Sequence, residues 1–242
     1  QHTSASAGWA RLYQYDETSD SWSEEYNFDQ SSVNGHYGIT SGISLDGKTV
    51  VIGGYVNHGG AGTFITWHYD EESNKWGKKD ANGGFTPDTP YIIYNNNPDG
   101  WSGYFGQGQE TPLSGDGKRL VIKGNGHSHN GRIFVFDFND ETATWGRFYP
   151  DGTFKEYTPG DLTTVYCIEQ NSTSDGHHAT MSGDGKTIAQ SRHTSNQHGY
   201  AYVWKYNDEI MEWGKWNSDG SFTPLEADSN GKYTWKTSAL YD

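Results

Sequence analysis

The sequence predicts an all-β fold, on the basis of its composition, a tandem repeat and a recurring Asp-Gly turn. Only 32% of the residues are hydrophobic, and the aliphatic supply is small, with seven Leu and two Met, which disfavours a helical bundle. The chain instead holds 10 Trp, 17 Tyr, 10 Phe and 32 Gly. Large flat side chains suit strands, and Gly suits the tight turns between them. We therefore expect many short strands.

The tandem repeat is carried by three markers that recur in the same order. The first is a Ser-x-Asp-Gly-Lys turn, whose three copies are 70 and 68 residues apart. The second is an aromatic residue followed seven residues later by Trp, with an acidic turn between them. The third is a Gly-x-Phe segment after the Trp. The turns are residues 44–48, 114–118 and 182–186; the aromatic pairs are Tyr15 and Trp22, Tyr69 and Trp76, Phe138 and Trp145, and Tyr206 and Trp213; the Phe residues are Phe85, Phe154 and Phe222.

Each repeat is predicted to hold four antiparallel strands. Asp-Gly between β-prone residues is a hairpin signal, typical of a type I′ turn, so residues 42–45 should pair with 49–53. The third strand is predicted at 63–69, with counterparts at 132–138 and 201–206, and the Trp strand closes the unit. Four-stranded sheets repeated radially describe a small β-propeller, with blades of about 68 residues.

The predicted organisation is a single propeller domain over residues 1–242. It consists of a partial blade at 9–35, blades at about 36–103, 104–176 and 177–224, and a closing tail at 225–242. We expect a four-bladed ring closed by the C-terminal tail. The alternative is an open set of blades that a second copy completes as a homo-oligomer, since exposed strand edges invite pairing.

The repeat resembles known propeller repeats. The order Asp-Gly-Lys, apolar strand, Gly-rich loop, aromatic strand and Trp looks like the FG-GAP-like repeats of secreted and cell-surface proteins. The run Val50-Val51-Ile52-Gly53-Gly54, followed by Tyr69-Asp70 and Trp76, also resembles a kelch repeat. The resemblance implies the fold. The calcium loop of integrin-type FG-GAP blades is absent, so calcium is not implied.

Charge and composition exclude several partners. The formal charge of −14 opposes binding to nucleic-acid phosphate or to an anionic lipid surface. No apolar run is long enough to span a membrane. The lone Cys167 cannot form an internal disulfide and is expected to be a half-buried thiol. The N-terminal Gln and a sequon at Asn171 favour a secreted, extracellular glycoprotein.

Histidines suggest a metal site as one alternative. Eight of the ten His fall in the loops between second and third strands or just before a first strand, which lie at one end of a four-stranded meander. Imidazole is the commonest transition-metal ligand, and His127 and His129 have chelate spacing. The competing interpretation is that polar loops collect His by composition. The candidate ligands of a divalent transition metal, for which no other cofactor is indicated, are His58, His127, His129, His177, His193 and His198.

The same end is predicted to carry a ligand-binding surface. The insertions at 88–103 and 159–176 are its longest loops, and exposed aromatics beside amides and carboxylates are typical of sugar binding. The alternative is that these rings only pack the loops onto the sheets. The candidate residues are Tyr91, Tyr94, Asp99, Trp101 and Tyr104.

The sequence favours a binding role over catalysis. No nucleophile elbow, phosphate loop or zinc-protease motif occurs, and no carboxylate pair is singled out as catalytic. We therefore expect a non-catalytic, extracellular, lectin-like adhesion protein whose partner is a glycan or glycoprotein. The alternatives are a structural subunit of an extracellular assembly or filament, and a His-rich metal-binding propeller.

Overall fold

The structure is a computed structural model of the chain, and it describes residues 8–28, 37–54, 62–94, 103–105, 112–126, 132–169, 178–193 and 199–234. In these residues the regular secondary structure is β-strand, apart from two short 3-10 turns at Ala81–Gly83 and Leu162–Thr164. The all-β prediction is therefore confirmed. Four sheets are formed, and all but one of the strand pairs are antiparallel.

The N-terminal hairpin and the first repeat unit follow the predicted order. The hairpin is a two-stranded sheet, and it corresponds to the third and fourth strands of a unit. Its strands are β1 (Arg11–Asp16) and β2 (Ser21–Asn27). The first unit is a sheet with the order β3-β4-β5-β6-β7, and β8 pairs with the start of β5. Its strands are β3 (Thr40–Ile43), β4 (Thr49–Gly54), β5 (Thr63–Asp70), β6 (Lys75–Lys79), β7 (Phe85–Pro87) and β8 (Tyr91–Tyr94).

The second and third units repeat this arrangement. The second sheet has the order β9-β10-β11-β12-β13, with β14 paired to the start of β11, and the third has the order β15-β16-β17-β18-β19. The second unit holds β9 (Gly103–Phe105), β10 (Arg119–Gly126), β11 (Arg132–Asn139), β12 (Thr144–Phe148), β13 (Phe154–Glu156) and β14 (Tyr166–Glu169). The third holds β15 (His178–Met181), β16 (Thr187–His193), β17 (Gly199–Asn207), β18 (Glu212–Trp216) and β19 (Phe222–Pro224), and β20 (Lys232–Thr234) follows it.

Each unit has a fifth strand that the sequence prediction missed, so the expectation of four strands per unit is wrong. The Gly-x-Phe marker forms this strand: β7 pairs with β6, and β13 and β19 occupy the same place in the other units. A glycine directly after the Trp allows the fourth and fifth strands to approach each other closely. A Cβ on Gly77 would lie 2.2 Å from the carbonyl oxygen of Thr86 and 2.7 Å from the ring of Phe85. Only glycine fits at this contact.

Two segments predicted as insertion loops also contain strands. Residues 91–94 and 166–169 each extend the sheet beside the fourth strand, because each pairs with the first half of the third strand. The tail differs as well. Lys232–Thr234 pairs in parallel with β14 of the second unit, and the described part of the tail makes no ladder with the N-terminal hairpin, so these residues do not supply the expected closing strands.

The Asp-Gly turns form the predicted hairpins with a different turn geometry. Residues 40–43 pair with 50–53, which confirms the hairpin to within two residues. Gly47 has φ of 71°, whereas Asp46 is not among the residues with positive φ, so the expected type I′ turn is wrong. The loop is longer than two residues, and Gly47 N donates a hydrogen bond to the main-chain carbonyl of Ser44. A positive φ is then needed only at the glycine.

The core lies between the units rather than inside them. One apolar cluster joins the hairpin to the first unit, a second joins the first unit to the second, and a third joins the second to the third. A single antiparallel sheet has two faces to cover, so stacking neighbours is what buries its aromatic side chains. Trp145, Trp204 and Trp213 are among the largest fully buried side chains.

Candidate functional site

The Ser-x-Asp-Gly-Lys turns are built by their own side chains. Ser44 Oγ donates to Asp46 Oδ1 at 2.5 Å, and the same carboxylate oxygen accepts from Lys48 N at 3.0 Å. Thr49 N donates to Ser44 Oγ at 2.9 Å. The turns at 114–118 and 182–186 repeat this network. Partial burial raises the pKa of Asp46, but the hydrogen bonds from Ser44 and Lys48 outweigh it and hold the pKa below its ordinary value.

The three turns are joined to one another through the main chain. Leu45 N donates to the Gly115 carbonyl at 2.9 Å, and Gly115 N donates to the Gly183 carbonyl at 2.7 Å. The approach is close enough that a Cβ on Gly117 would lie 2.5 Å from Thr49 Oγ1. The turns therefore form a continuous row, which we call the turn row (residues 44–48, 114–118 and 182–186).

The acidic turns lie at the same end of each sheet as the turn row, as the meander predicts. The lysine of each Asp-Gly-Lys turn forms an ion pair with the acidic turn of its own unit: Lys48 with Glu71 at 2.9 Å, Lys118 with Asp140, and Lys186 with Asp208 at 2.5 Å. These side chains are about half exposed or more, so solvent screens each pair and its contribution to stability is small. The ion pairs hold the acidic turn of each unit beside its Asp-Gly-Lys turn.

A cleft of about 250 Å³ opens between the second and third turns. We call it the turn cleft. Acidic and basic side chains line it together with the rings of two phenylalanines. The lining residues are Ser114, Asp116, Lys118, Arg119, Asp137, Phe138, Phe148, Asp184, Gly185, Lys186 and Asp208.

A buried ion pair lines the turn cleft. Arg119 and Asp137 are directly opposite each other in the β10–β11 ladder, and Arg119 Nε donates to Asp137 Oδ1 at 2.6 Å. Arg119 Nη1 also donates to the Gly185 carbonyl at 3.0 Å, and the guanidinium lies 4.0 Å from the centre of the Tyr206 ring. Burial lowers the pKa of Arg119, but the Asp137 carboxylate outweighs it, and the net shift is upward. The guanidinium thus holds its charge between two units.

Only one oxygen of Asp137 is satisfied within the protein. Its side chain is 5% exposed, and Oδ2 is buried without a hydrogen-bond partner. A carboxylate oxygen left in this state is costly, because the charge has lost its hydration. The same position is occupied by His68 in the first unit and Lys205 in the third. Within the described repeats, the arginine–carboxylate ladder pair therefore belongs to the second unit.

A second buried cluster joins the same two units and is structural in character. Arg147 Nη2 donates to Glu212 Oε1 at 2.9 Å and to the Tyr233 hydroxyl. Burial raises the pKa of Glu212 even though Arg147 lowers it. The Tyr166 hydroxyl is committed to main-chain carbonyls, 3.0 Å from that of Phe148 and 2.8 Å from that of Met211. These groups bond to one another and to main-chain carbonyls, although the buried Arg147 Nε has no hydrogen-bond partner.

The structure describes part of the predicted aromatic surface. Tyr91 packs against the core between the first and second units, with its hydroxyl 3.4 Å from Glu156 Oε1. Burial raises the pKa of Tyr91 to about 12. The Tyr94 carbonyl accepts from the Tyr157 hydroxyl at 3.0 Å. Both contacts are those of the packing alternative. Of the other candidates, Tyr104 lies in β9, and Asp99 and Trp101 lie outside the described residues.

The predicted metal ligands lie almost entirely outside the described residues. This holds for His58, His127, His129, His177 and His198, while His193 ends β16. Among the residues that the structure describes, no group of three or more His, Cys, Asp or Glu side chains is placed to hold a metal ion. No helix in that part of the chain is long and apolar enough to cross a membrane. Asn171, the sequon residue, is also outside it, so secretion and glycosylation stay predictions.

Two residues behave differently from expectation. Cys167 is fully buried in the core between the first and second units, so the half-buried thiol is a wrong prediction; both faces of β14 are covered, and Tyr166 and Ile168 on its other face are buried as well. His68, which was not a candidate, is 3% exposed, and neither ring nitrogen has a hydrogen-bond partner. Burial, reinforced by Lys79 and opposed by Asp140, lowers its pKa to about 4. It is therefore a neutral core residue at neutral pH.

Comparison with known proteins gives matches among solved structures. No family model matches the chain, and no curated protein matches it. A protein of Bacteroides uniformis, provisionally assigned as a 6-phosphogluconolactonase, is 15% identical with a TM-score of 0.26, covering 91% of this chain and 82% of that one. A protein of Bacteroides fragilis with the same provisional assignment is 13% identical with a TM-score of 0.26, covering 93% of this chain and 79% of that one.

This comparison corrects the functional expectation. Both structures are assigned as enzymes, so the expectation of a non-catalytic binding protein is wrong by this finding, and it is not proposed again, nor are its structural and metal-binding alternatives. The extracellular location stays a prediction. At a TM-score of 0.26 the likeness carries no argument for a particular reaction or substrate in this chain.

Proposed function

We propose that the turn cleft is a site where the chain acts on a small polar molecule, and that Asp137 accepts a proton or a hydrogen bond from a hydroxyl group or water there. The observation that carries the proposal is the unsatisfied Oδ2 of Asp137 at a cleft between two units. A fixed carboxylate with one free oxygen is the arrangement that general-base chemistry requires.

The surroundings of Asp137 support this role. Arg119 fixes the carboxylate through Oδ1, so the free oxygen is held in one position rather than rotating with solvent. Phe138 and Phe148 supply apolar surface beside it. Access to Oδ2 requires the lining side chains to shift, and Lys118 and Lys186 are the groups best able to do so, because their ion pairs are half exposed and weak.

The arrangement of the units is proposed to be that of a β-propeller. Support comes from the repeated face-to-face packing of neighbouring units and from the turn row, which brings the same end of each sheet together. Small-angle X-ray scattering tests the arrangement. A radial set of blades gives a compact, disc-like profile, and an extended rod-like profile would contradict it.

The function is tested by ligand binding at the turn cleft. The wild-type chain is screened by thermal shift and by isothermal titration against small sugars, sugar phosphates, lactones and hydroxy acids, and hits are tested for turnover. We expect a stabilising compound whose effect disappears in Asp137→Asn. Asp140→Asn, a change at a half-exposed carboxylate that is not among the cleft-lining residues, is the matched control and should keep the binding.

Because Asp137→Asn leaves Arg119 without its counter-charge, a second variant keeps the test decisive. Arg119→Met combined with Asp137→Leu removes both charges together, and such replacements of buried pairs are often neutral for folding. If this folded double variant binds and turns over the compound like the wild type, the proposal is wrong. A screen in which no compound binds the wild-type chain also counts against it.

A further inference from the structure

Three successive junctions between units are built from the same two surfaces. One is the Trp face, the side of a sheet that carries the aromatic–Trp pair of the second marker. The other is the cover face, formed by alternate residues of the third strand of the preceding unit. The cover-face residues at corresponding positions are Ala10 and Leu12 in the hairpin, Phe64 and Thr66 in the first unit, Ile133 and Val135 in the second, and Ala201 and Val203 in the third.

The contacts show this pairing at every internal junction. Ala10 and Leu12 pack against the cluster that contains Trp76. Phe64 shares a cluster with Trp145, and Thr66 accepts a hydrogen bond from its indole nitrogen at 3.0 Å. At the next junction, the equivalent cluster contains Ile133, Val135 and Trp213. A cover face on one unit therefore meets a Trp face on the next throughout the described array.

Two of these surfaces are left open at the ends of the array. The Trp face of the hairpin is exposed: Trp22 is 68% exposed, against 5% for Trp76 and 0% for Trp145 and Trp213. Tyr13 and Tyr15 on the same strand are also exposed, and Tyr15 contacts Trp22 with ring centres 5.2 Å apart. The pair has its usual internal geometry but no covering sheet among the described residues.

The cover face of the third unit is the other open surface. Val203 is 54% exposed, although its counterparts Thr66 and Val135 are fully buried. Trp216 is 50% exposed on the same unit. It occupies the position of Lys79, which lies over the Phe138 ring, and of Phe148, which lines the turn cleft. At the internal junctions, this position contacts the next unit.

From these two surfaces we infer that the chain binds a second copy of itself head to tail, with the Val203 surface of one copy on the Trp22 surface of the other. The two surfaces are the two halves of a contact that the chain makes three times internally, so shape and apolar character already match. Burying a Trp and two Tyr is enough apolar area to dominate an interface.

Charge at the edge of this contact is also complementary. His68, at the position of Lys205 on the cover face, lies close enough to Asp140 for that carboxylate to act on its pKa. Asp140 corresponds to Glu17 in the hairpin, two residues after the aromatic of the pair. If the two copies pack as neighbouring units do within the chain, Lys205 of one copy lies opposite Glu17 of the other. An oppositely charged pair at the rim sets orientation and association rate more than affinity.

The test uses complementary single-surface variants. Trp22→Ser destroys only the Trp surface, and Val203→Glu destroys only the cover surface. By analytical ultracentrifugation, the wild-type chain should show concentration-dependent association, and each variant alone should be monomeric. An equimolar mixture of the two should form a 1:1 dimer that grows no further, because one variant supplies each intact surface and the other two surfaces are blocked.

Control variants distinguish this contact from nonspecific association. Leu45→Ser removes an apolar side chain that is 91% exposed and lies on neither surface, so it should leave association unchanged. Lys205→Glu should weaken association, and adding Glu17→Lys should restore it. A wild-type chain that is monomeric at every concentration, or a mixture of the two single-surface variants that stays monomeric, overturns the inference. The double change Arg119→Met with Asp137→Leu should not affect it, which keeps this test independent of the turn cleft.

Discussion

Trp145 donates its indole Nε1–H to Thr66 Oγ1 at 3.0 Å, and this buried bond crosses from the second unit to the first. Both residues are fully buried. The equivalent position at the next junction is Val135, and there the buried Nε1 of Trp213 has no partner. The two junctions thus share a shape and differ by one hydroxyl group.

We expect Thr66→Val to lower the free energy of unfolding by about 1–3 kcal/mol, because it leaves the Trp145 nitrogen buried and unsatisfied. Val135→Thr is the reciprocal change. It should cost less than Thr66→Val, since its hydroxyl gains the Trp213 nitrogen as a donor. Urea unfolding monitored by Trp fluorescence measures both. Equal losses for the two variants would contradict the assignment of this bond.

Gly117 and Gly47 form a matched pair for testing the turn row. Their φ values are 70° and 71°, so substitution by alanine lowers the free energy of unfolding by about 1–2 kcal/mol at either position, because the backbone there is left-handed. Only Gly117 faces a neighbour: a Cβ there would meet Thr49 Oγ1, whereas a Cβ on Gly47 has nothing within 4 Å. Gly117→Ala should therefore be clearly more destabilising than Gly47→Ala in urea unfolding. If both cost the same, the turns are not in contact as described.

His68 should make stability depend on pH. Its pKa is about 4 in the folded chain and 6.5 as an ordinary side chain, so the unfolded state binds the proton first as pH falls. Its contribution is complete above about pH 6.5 and is lost between that value and pH 4, amounting to about 3 kcal/mol. His68→Leu should remove this part of the slope. The measurement is the wild-type minus variant difference in unfolding free energy across pH 4–7, and a flat difference would contradict the burial of a neutral imidazole.

Asp137→Asn should lower the free energy of unfolding by about 3–5 kcal/mol, because it strips the counter-charge from the buried Arg119. Asp140→Asn is the control for a carboxylate in an exposed pair and should cost less than about 1 kcal/mol. Combining Arg119→Met with Asp137→Leu should recover most of the loss. Chemical denaturation of the variants measures these values, and a double variant as unstable as Asp137→Asn would show that the charge imbalance is not the cause.

The sequence predicted the parts of the fold that depend on local chemistry. Asp46 and Gly47 mark a hairpin because turn geometry is local, and Tyr69 with Trp76 marks the next one for the same reason. The fifth strand was missed because Phe85–Pro87 is too short to show an alternating pattern. Residues 91–94 were missed because their pairing with β5 is set by tertiary packing, and the Asp88–Gly103 segment looked like a polar loop.

The candidate site was beyond reach for a different reason. Arg119 and Asp137 are 18 residues apart, and nothing local links them. One signal was available: each is a charged residue directly beside an apolar run, residues 120–122 for Arg119 and 133–136 for Asp137, and the β10–β11 ladder places them opposite each other.

The turn row has a consequence for how such a chain can change in length. Its inter-unit bonds, from Leu45 N to the Gly115 carbonyl and from Gly115 N to the Gly183 carbonyl, use only main-chain atoms. The contact between neighbouring units at the turn row therefore does not depend on which side chains are present. If a whole unit were duplicated or deleted, the units on either side could form the same main-chain hydrogen bonds. Modular growth of this kind leaves individual modules free to diverge, which accounts for the Arg119–Asp137 pair in the second unit where the first unit has Thr49 opposite His68 and the third has Thr187 opposite Lys205.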